Sequence, residues 1–440
     1  MLIAVVAVGL GYALPAEAAT DSDGAPTPII IHDFPDPSVL QTPYGDYAYS
    51  TNSHYGDSLV NIPEARAPKL TGPWTDTGTD ALPVLPNWVT YDPGDGTNDV
   101  WAPDVSRLDD GGFIMYYVAH NENGLQCLGA AGSRTPAGPF TPIGPQPLLC
   151  NADDHGDIDP ATYTLGGRHY LIYKDNANSA GIPNSIWINQ VADDGVTFIG
   201  GRTKLLTADP AGNENNVAEA PFIIRHNGEY VLLYSADDWN STYHMKYAVS
   251  RTLTGPYTKQ GTFTDTETWN GAIVAPGGDY VVVTGPDGTD YLFFHGNVGT
   301  GRGLYVDRLN WPHDVPTPAG APPLAPGTYQ FTALTTGQTL AVPGSGDTWQ
   351  LTAGPDRGYR IVSRRTGLVL STVGPDGHAL LTQLPFVGLP GQLWNLDRDF
   401  AGYYRIRSAA TGELLTLGAF SPTLSANDDD PAQKWLPTTE

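Results

Sequence analysis

One theme repeats five times between about residue 33 and residue 312. An acid- or proline-bearing turn opens an apolar run, a glycine turn follows, and a tyrosine-rich run comes next. The openings are Asp36-Pro37-Ser38-Val39, Trp101-Ala102-Pro103-Asp104-Val105, Ile158-Asp159-Pro160-Ala161, Glu219-Ala220-Pro221-Phe222 and Ala275-Pro276-Gly277-Gly278. They stand roughly 55 to 70 residues apart, a little more than a four-stranded propeller blade. The second runs include Tyr47-Ala48-Tyr49, Ile114-Met115-Tyr116-Tyr117, Tyr170-Leu171-Ile172-Tyr173, Tyr230-Val231-Leu232-Leu233-Tyr234 and Tyr291-Leu292-Phe293-Phe294. Aromatic and β-branched content of this kind suits strands. Gly72-Pro73-Trp74, Gly138-Pro139-Phe140 and Gly255-Pro256-Tyr257 recur late in three units. Long helical periodicity is scarce, and 51 glycines and 39 prolines supply turns. The pattern predicts an all-β chain whose larger part is a five-bladed β-propeller.

In that architecture the first strand of each blade lines the central channel, and the strand openings converge on one end of the axis. Asp36 and Asp159 directly precede a proline, and Glu219 stands one residue further back. All three carboxylates are therefore expected in one funnel. Cleavage of a glycosidic bond needs one protonated and one ionised carboxyl group. In the inverting route the two stand about 6.5–9.5 Å apart, leaving room for a water. A third carboxylate raises the acid's pKa by like-charge repulsion. Asp157 is a neighbouring candidate to Asp159, and Asp104 reads as a strand cap or a brace for its blade. Phe34 and Trp101 are either sugar platforms or packing between blades. Arg302 is either a contact to a sugar hydroxyl or a surface cation.

The formal net charge of −25 disfavours nucleic acid and anionic membranes as partners. A soluble, monomeric protein acting on neutral substrates is expected. Leu2 to Leu14 are almost wholly apolar, and Ala16-Glu17-Ala18 is a small-x-small cleavage site. Residues 1–18 thus read as an export signal, too short to span a bilayer, with a buried N-terminal strand as the other reading. A polar, mobile segment over 19–32 follows. In an exported chain the two cysteines, Cys127 and Cys150, are expected to pair.

Six prolines between 312 and 326 mark a stiff linker over 313–326, after a propeller spanning 33–312. A shorter repeat then fills 327–440. Tyr329, Tyr359 and Tyr404 each precede a Thr-Gly pair by the same offset, at Thr336, Thr366 and Thr411. Each unit ends near a tryptophan: Trp349, then Gln392-Leu393-Trp394, then Gln433-Lys434-Trp435. Three such units predict a β-trefoil with those tryptophans in its core.

The ordered set Phe-Pro-Asp-Pro-Ser-Val, Trp-Ala-Pro-Asp-Val, Ile-Asp-Pro, Glu-Ala-Pro-Phe and Phe-Phe-His-Gly resembles glycoside hydrolase family 43 over about residues 33–312. The resemblance implies an inverting hydrolase of arabinose- or xylose-containing polysaccharides. It makes Asp36 the general base, Glu219 the general acid and Asp159 the group that tunes and orients that acid. No cofactor is required. The resemblance adds a calcium ion in the channel, associated with His295 through water; a histidine hydrogen-bonded inside the barrel is the other reading. The fifth opening lacks a histidine that the family often carries there. The trefoil resembles the ricin-type lectins but lacks their repeat disulfides. At the lectins' aspartate position it has Ala341-Val342, Ser371-Thr372 and Thr416-Leu417, so polysaccharide binding and a purely structural role both stay open. An α-L-arabinofuranosidase or arabinanase is the leading expectation, ahead of β-xylosidase or exo-galactanase. A non-catalytic glycan-binding lectin is the reading from another class.

Overall fold

The protein is described by a computed structural model covering residues 25–440, apart from 95, 270, 284–289, 312–313, 319–326, 354–358, 375–379, 399–403, 419–420, 426–430 and 440. The expected export signal lies outside the described residues. Strands and short 3₁₀ turns make up the regular structure of those residues, with no α-helix among them.

Five antiparallel four-stranded sheets form the propeller. Their innermost strands are Ser38–Thr42, Trp101–Arg107, Asp157–Leu165, Ala218–His226 and Val274–Val283. These five strands contact one another in a closed ring around the axis. The second strands are Gly45–Tyr49, Phe113–His120, Arg168–Asp175, Glu229–Ala236 and Asp290–Asn297. Apart from the first, they are buried along most of their length, because each lies between two strands of its own sheet and two neighbouring blades. Continuous apolar runs such as Phe113–Ala119 suit that position better than alternation does. The three Gly-Pro-aromatic motifs fall between third and fourth strands, their Gly-Pro bonds are cis, and Phe140 and Tyr257 are buried in the core.

A backbone irregularity repeats with the blades. The residue before the opening proline has positive φ in every blade: Asp36 (50°), Ala102 (42°), Asp159 (56°), Ala220 (47°) and Ala275 (52°). In blades two to five the ladder register shifts at this point. Side chains avoid the left-handed region at roughly 1–2 kcal/mol per residue. Strain of this kind concentrates where function needs a side chain re-aimed. Here it turns the start of each inner strand toward the funnel.

Two boundaries differ from the sequence expectation. Ala25–His32 is tied down rather than mobile: the amides of Ile29 and Ile30 donate to Leu304 O at 2.7 and 3.3 Å, and Ile30 is buried. An apolar Ile-Ile pair finds blade five's third strand, Arg302–Asn310, and closes the ring between blades five and one. At the other end, Thr317–Pro318 pairs with Leu309 and Asn310 as blade five's outermost strand. The start of the expected linker thus belongs to the propeller. A proline fits there because an edge strand tolerates a missing donor.

The C-terminal unit is a closed six-stranded barrel of Gly327–Ala333, Trp349–Ala353, Tyr359–Ser363, Trp394–Arg398, Tyr404–Ser408 and Trp435–Thr439. Trp349, Trp394 and Trp435 are fully buried in one cluster. Their indole N–H groups donate to Leu340 O, Leu370 O and Leu415 O at 2.8, 2.9 and 2.8 Å. Three repeats thus place the same indole in the same bond, as a trefoil requires.

Cys127 and Cys150 are joined. The bridge ties blade two's third strand, Gln126–Ser133, to the segment leading into blade three. With the two cysteines 23 positions apart in sequence, the loop-closure account gives about 3 kcal/mol. A Cys127→Ser/Cys150→Ser protein should lose about that much stability in urea unfolding; an unchanged midpoint would show that the crosslink carries no such load.

Candidate active site

Asp36, Asp159 and Glu219 line one cavity of about 430 Å3 at the opening end of the inner strands, together with Trp101, Trp239, Tyr243 and Arg302. The left-handed turn places Asp36 and Asp159 there directly, and Glu219 precedes the turn residue of its own blade. Asp157 does not reach the cavity. It is buried and accepts from Asn151 N and Nδ2 at 2.7 and 2.9 Å, a bracing role.

Each acid is held differently. Asp36 Oδ2 accepts from Thr51 Oγ1 at 2.7 Å, and Oδ1 lies 3.4 Å from Arg302 Nη1. Burial alone would raise the Asp36 pKa, but the Arg302 charge leads a set of opposing influences that keeps it below the usual carboxylate range. Asp36 is therefore ionised, as a general base must be. Its backbone N–H donates to His295 Nδ1 at 3.1 Å. Burial, then Arg302, pushes His295 down to about 3. At neutral pH the imidazole is a neutral acceptor at Nδ1 with its proton on Nε2, so it acts on Asp36 by hydrogen bonding rather than as a cation.

Asp159 Oδ2 accepts from Ala220 N at 2.9 Å, which fixes the backbone next to Glu219. Burial, then the Glu219 charge, pushes Asp159 up to about 7. Two close carboxylates out of water do not ionise independently. Glu219 Oε2 accepts from Lys174 Nζ at 2.8 Å, and that buried ammonium also bonds Asn178 Oδ1 at 2.9 Å. Tyr243 is pushed well above 10 by burial and by Glu219, so it remains a phenol beside these acids.

Arg302 is brought into the site: its guanidinium faces Asp36 and packs over the Trp239 ring at 4.8 Å. Trp101 lines the cavity. Phe34 does not. It is fully buried in the apolar seam with Ile30, Val39 and Leu304, so the expectation of a sugar platform is corrected. Its proximity in sequence to Asp36 misleads because the chain reverses side at the Pro35-Asp36 turn. Trp239, 52% exposed at the funnel mouth, lines the cavity and was missed by sequence reasoning. Thr51 and Tyr243, which also line it, and Lys174, which bonds Glu219, were missed as well. Thr51 and Trp239 follow the second strands of their blades, Lys174 lies within one, and Tyr243 just precedes a third strand. The exposed tryptophan in Asp237-Asp238-Trp239-Asn240 was the available signal.

A smaller cavity of about 40 Å3 is lined by Asp36, Asp159 and the prolines of the turns, and also by Asp104 and Asp279. Burial pushes Asp104 up to about 6 and Asp279 up to about 7. Thr162 lies alongside Asp104 and acts in the opposite direction, yet no donor reaches hydrogen-bonding geometry at either Asp104 oxygen. Asp279 Oδ2 and His295 Nε2 are likewise buried without a partner. Acid oxygens and room for water are the donors calcium takes, so the residues around the axis fit the ion implied by the family resemblance.

A convergent set of carboxylates in a propeller funnel, one ionised and one beside a group titrating near neutrality, defines a glycoside hydrolase. The profile of "Glycosyl hydrolases family 43" matches residues 25–316, and that of the "Ricin-type beta-trefoil lectin domain-like" family matches 345–435. The chain belongs to glycoside hydrolase family 43. Similar proteins include a probable arabinan endo-1,5-α-L-arabinosidase A of Aspergillus flavus, 29% identical over 62% of this chain and 77% of that one. The extracellular endo-α-(1→5)-L-arabinanase 1 of Bacillus subtilis is 27% identical over 70% and 93%. Among solved structures, a thermostable family-43 glycoside hydrolase superposes with TM-score 0.55 at 25% identity, covering 67% of this chain and 95% of that one.

The titrations predict a bell-shaped pH profile for kcat/KM. The rate should fall as pH rises through about 7, where the Asp159–Glu219 pair loses the one proton it shares, and in acid only below the ordinary carboxylate range, where Asp36 gains one. Asp159→Asn should lower kcat and move the alkaline limb. An alkaline limb that stays in place in that variant would remove Asp159 from this role.

Proposed function

We propose that this chain is a secreted, inverting arabinanase that works as a monomer. The observation that carries the proposal is the shared cavity of Asp36, Asp159 and Glu219, with opposite pKa displacements on Asp36 and Asp159. The arabinan-cleaving activities named for the Aspergillus and Bacillus relatives support the substrate, and the word extracellular in the Bacillus name supports secretion.

In this reading Asp36 accepts a proton from a water as that water attacks the anomeric carbon from one side. Glu219, carrying the one proton that it shares with Asp159, gives that proton to the departing glycosidic oxygen on the other. The bond from the anomeric carbon to the water oxygen forms as the bond to the leaving oxygen breaks, and the configuration inverts. Arg302 and Thr51 hold Asp36 ionised and aimed. Lys174 fixes Glu219, and Asp159 anchors the backbone beside it. Trp239 and Trp101 offer ring faces to the apolar faces of sugar units. A hydrated calcium ion on the axis, near His295, Asp104 and Asp279, would add fixed positive charge below the acids.

Asp36→Asn and Glu219→Gln should each lower kcat on linear 1,5-α-arabinan by 10³-fold or more while leaving the fold intact, in line with about 10²–10⁴-fold for a single acid or base. Proton NMR of the first products should show the inverted anomer. Full activity in either variant would refute that residue's role, and activity confined to aryl xylosides would refute the substrate. Trp239→Ala should raise KM about three- to ten-fold with a small change in kcat. Stripping the protein with EGTA should lower its melting temperature, and added calcium should restore it; an unchanged melting curve would remove the ion from the account.

A further inference from the structure

Asp109, His169 and Asp193 meet at the end of the propeller remote from the catalytic acids. Asp109 stands in the turn joining Trp101–Arg107 to Phe113–His120 in blade two. His169 lies in Arg168–Asp175 of blade three and pairs with Thr164, near the end of an inner strand that opens in the funnel. Asp193 lies in the turn after Ser185–Val191 of the same blade. One ligating atom from each residue falls within 4.8 Å of the other two.

The imidazole is set up unlike a solvated surface histidine. Its side chain is 16% exposed, and Nδ1 lies 3.1 Å from Thr164 Oγ1. Nε2 is buried, has no hydrogen-bond partner, and stands 3.6 Å from Asp109 Oδ2. That separation is too long for a hydrogen bond. It is close to the spacing of about 3.3 Å between two donors bound tetrahedrally to one zinc ion. In the tautomer that has Thr164 Oγ1 accepting from Nδ1–H, the Nε2 lone pair faces the carboxylate. Two electron-pair donors then oppose each other, an arrangement that a cation between them stabilises. Anchoring of the other ring nitrogen is also what orients histidine ligands in metal sites.

We propose that Asp109, His169 and Asp193 bind a divalent transition metal, zinc in the first instance, with water completing the coordination. The two carboxylates balance its charge. One imidazole nitrogen with two carboxylates suits zinc better than calcium, which takes six to eight oxygens, about twice what this site offers. The ion ties blade two to blade three. The same seam is already crossed by the Tyr116 hydroxyl, which donates to Gly195 O at 2.5 Å two residues beyond Asp193. The site is a clip on the ring, separate from the chemistry in the funnel.

The test uses the full chain, stripped of metal and titrated with zinc chloride. The native protein should bind about one zinc that His169→Gln removes. At roughly 100 times the dissociation constant its melting temperature should rise by about 3–6 °C. Asp193→Asn, a change in an exposed turn that spares the fold, should weaken binding at least about ten-fold by removing one of three ligands. Calcium chloride at the same concentration should shift the native protein and His169→Gln alike, whereas the zinc-dependent rise should be confined to the native protein. The same zinc stoichiometry and melting shift in both variants would place the metal elsewhere among the ten histidines. Absence of binding up to millimolar zinc would overturn the proposal outright.

Discussion

The structure depends on how it satisfies the backbone N–H of the left-handed residue that opens each inner strand. A buried amide without a partner is costly, and a bulge removes the partner the ladder would have given. In four of the five blades a side chain from outside the inner strand takes that donor. His295 of blade five receives Asp36 N, Thr51 of blade one receives Ala102 N, Asp159 of blade three receives Ala220 N, and Thr266 receives Ala275 N. The first three of these bonds cross from one blade to the next. The same contacts that close the ring therefore fix the side chains around the funnel.

This arrangement lets one backbone device serve two opposite electrostatic needs. Asp36 and Asp159 occupy equivalent turn positions and both are half-buried, yet one is held low and the other is raised. The difference lies in the neighbours. A cation and a hydroxyl donor reach Asp36, whereas Asp159 shares its surroundings with Glu219. Thr51 shows how tightly frame and chemistry are joined, since its hydroxyl oxygen donates to Asp36 and accepts from Ala102 N. A side chain without that hydroxyl would loosen Asp36 and an interblade contact together.

Most of this frame was legible in the sequence, because the five openings repeat in register and the strained turn always precedes a proline. Asp36, Asp159 and Glu219 follow from that register. Thr51, Lys174, Trp239 and His295 were harder to place. They sit in or just after second strands, whose apolar content reads only as core, and the loops after those strands differ in length from blade to blade. Only His295 stood out, through the Phe-Phe-His-Gly motif. Phe34 was misplaced because adjacency in sequence to Asp36 says nothing about the face on which a side chain emerges across a left-handed residue. The trefoil was plain because three tyrosines each precede a Thr-Gly pair by the same offset and each unit ends near a tryptophan.

The fifth blade shows why a missing side chain can be informative. Its opening carries Gly277-Gly278 where a functional side chain was expected. A Cβ at Gly277 would stand 2.0 Å from the Tyr243 ring, and one at Gly278 would stand 2.6 Å from His295 Nδ1 and 3.3 Å from Asp36 Cα. The two rings stack on each other with centroids 5.7 Å apart. The space is therefore occupied, by side chains from beyond blade five's own inner strand. Gly278 also has φ of +64°, a conformation that disfavours a side chain whatever room is available. The double glycine keeps the backbone out of the way so that the histidine can reach the amide of Asp36. A larger residue at Gly278 would displace the ring that receives the Asp36 amide, and one at Gly277 would displace the tyrosine stacked on that ring.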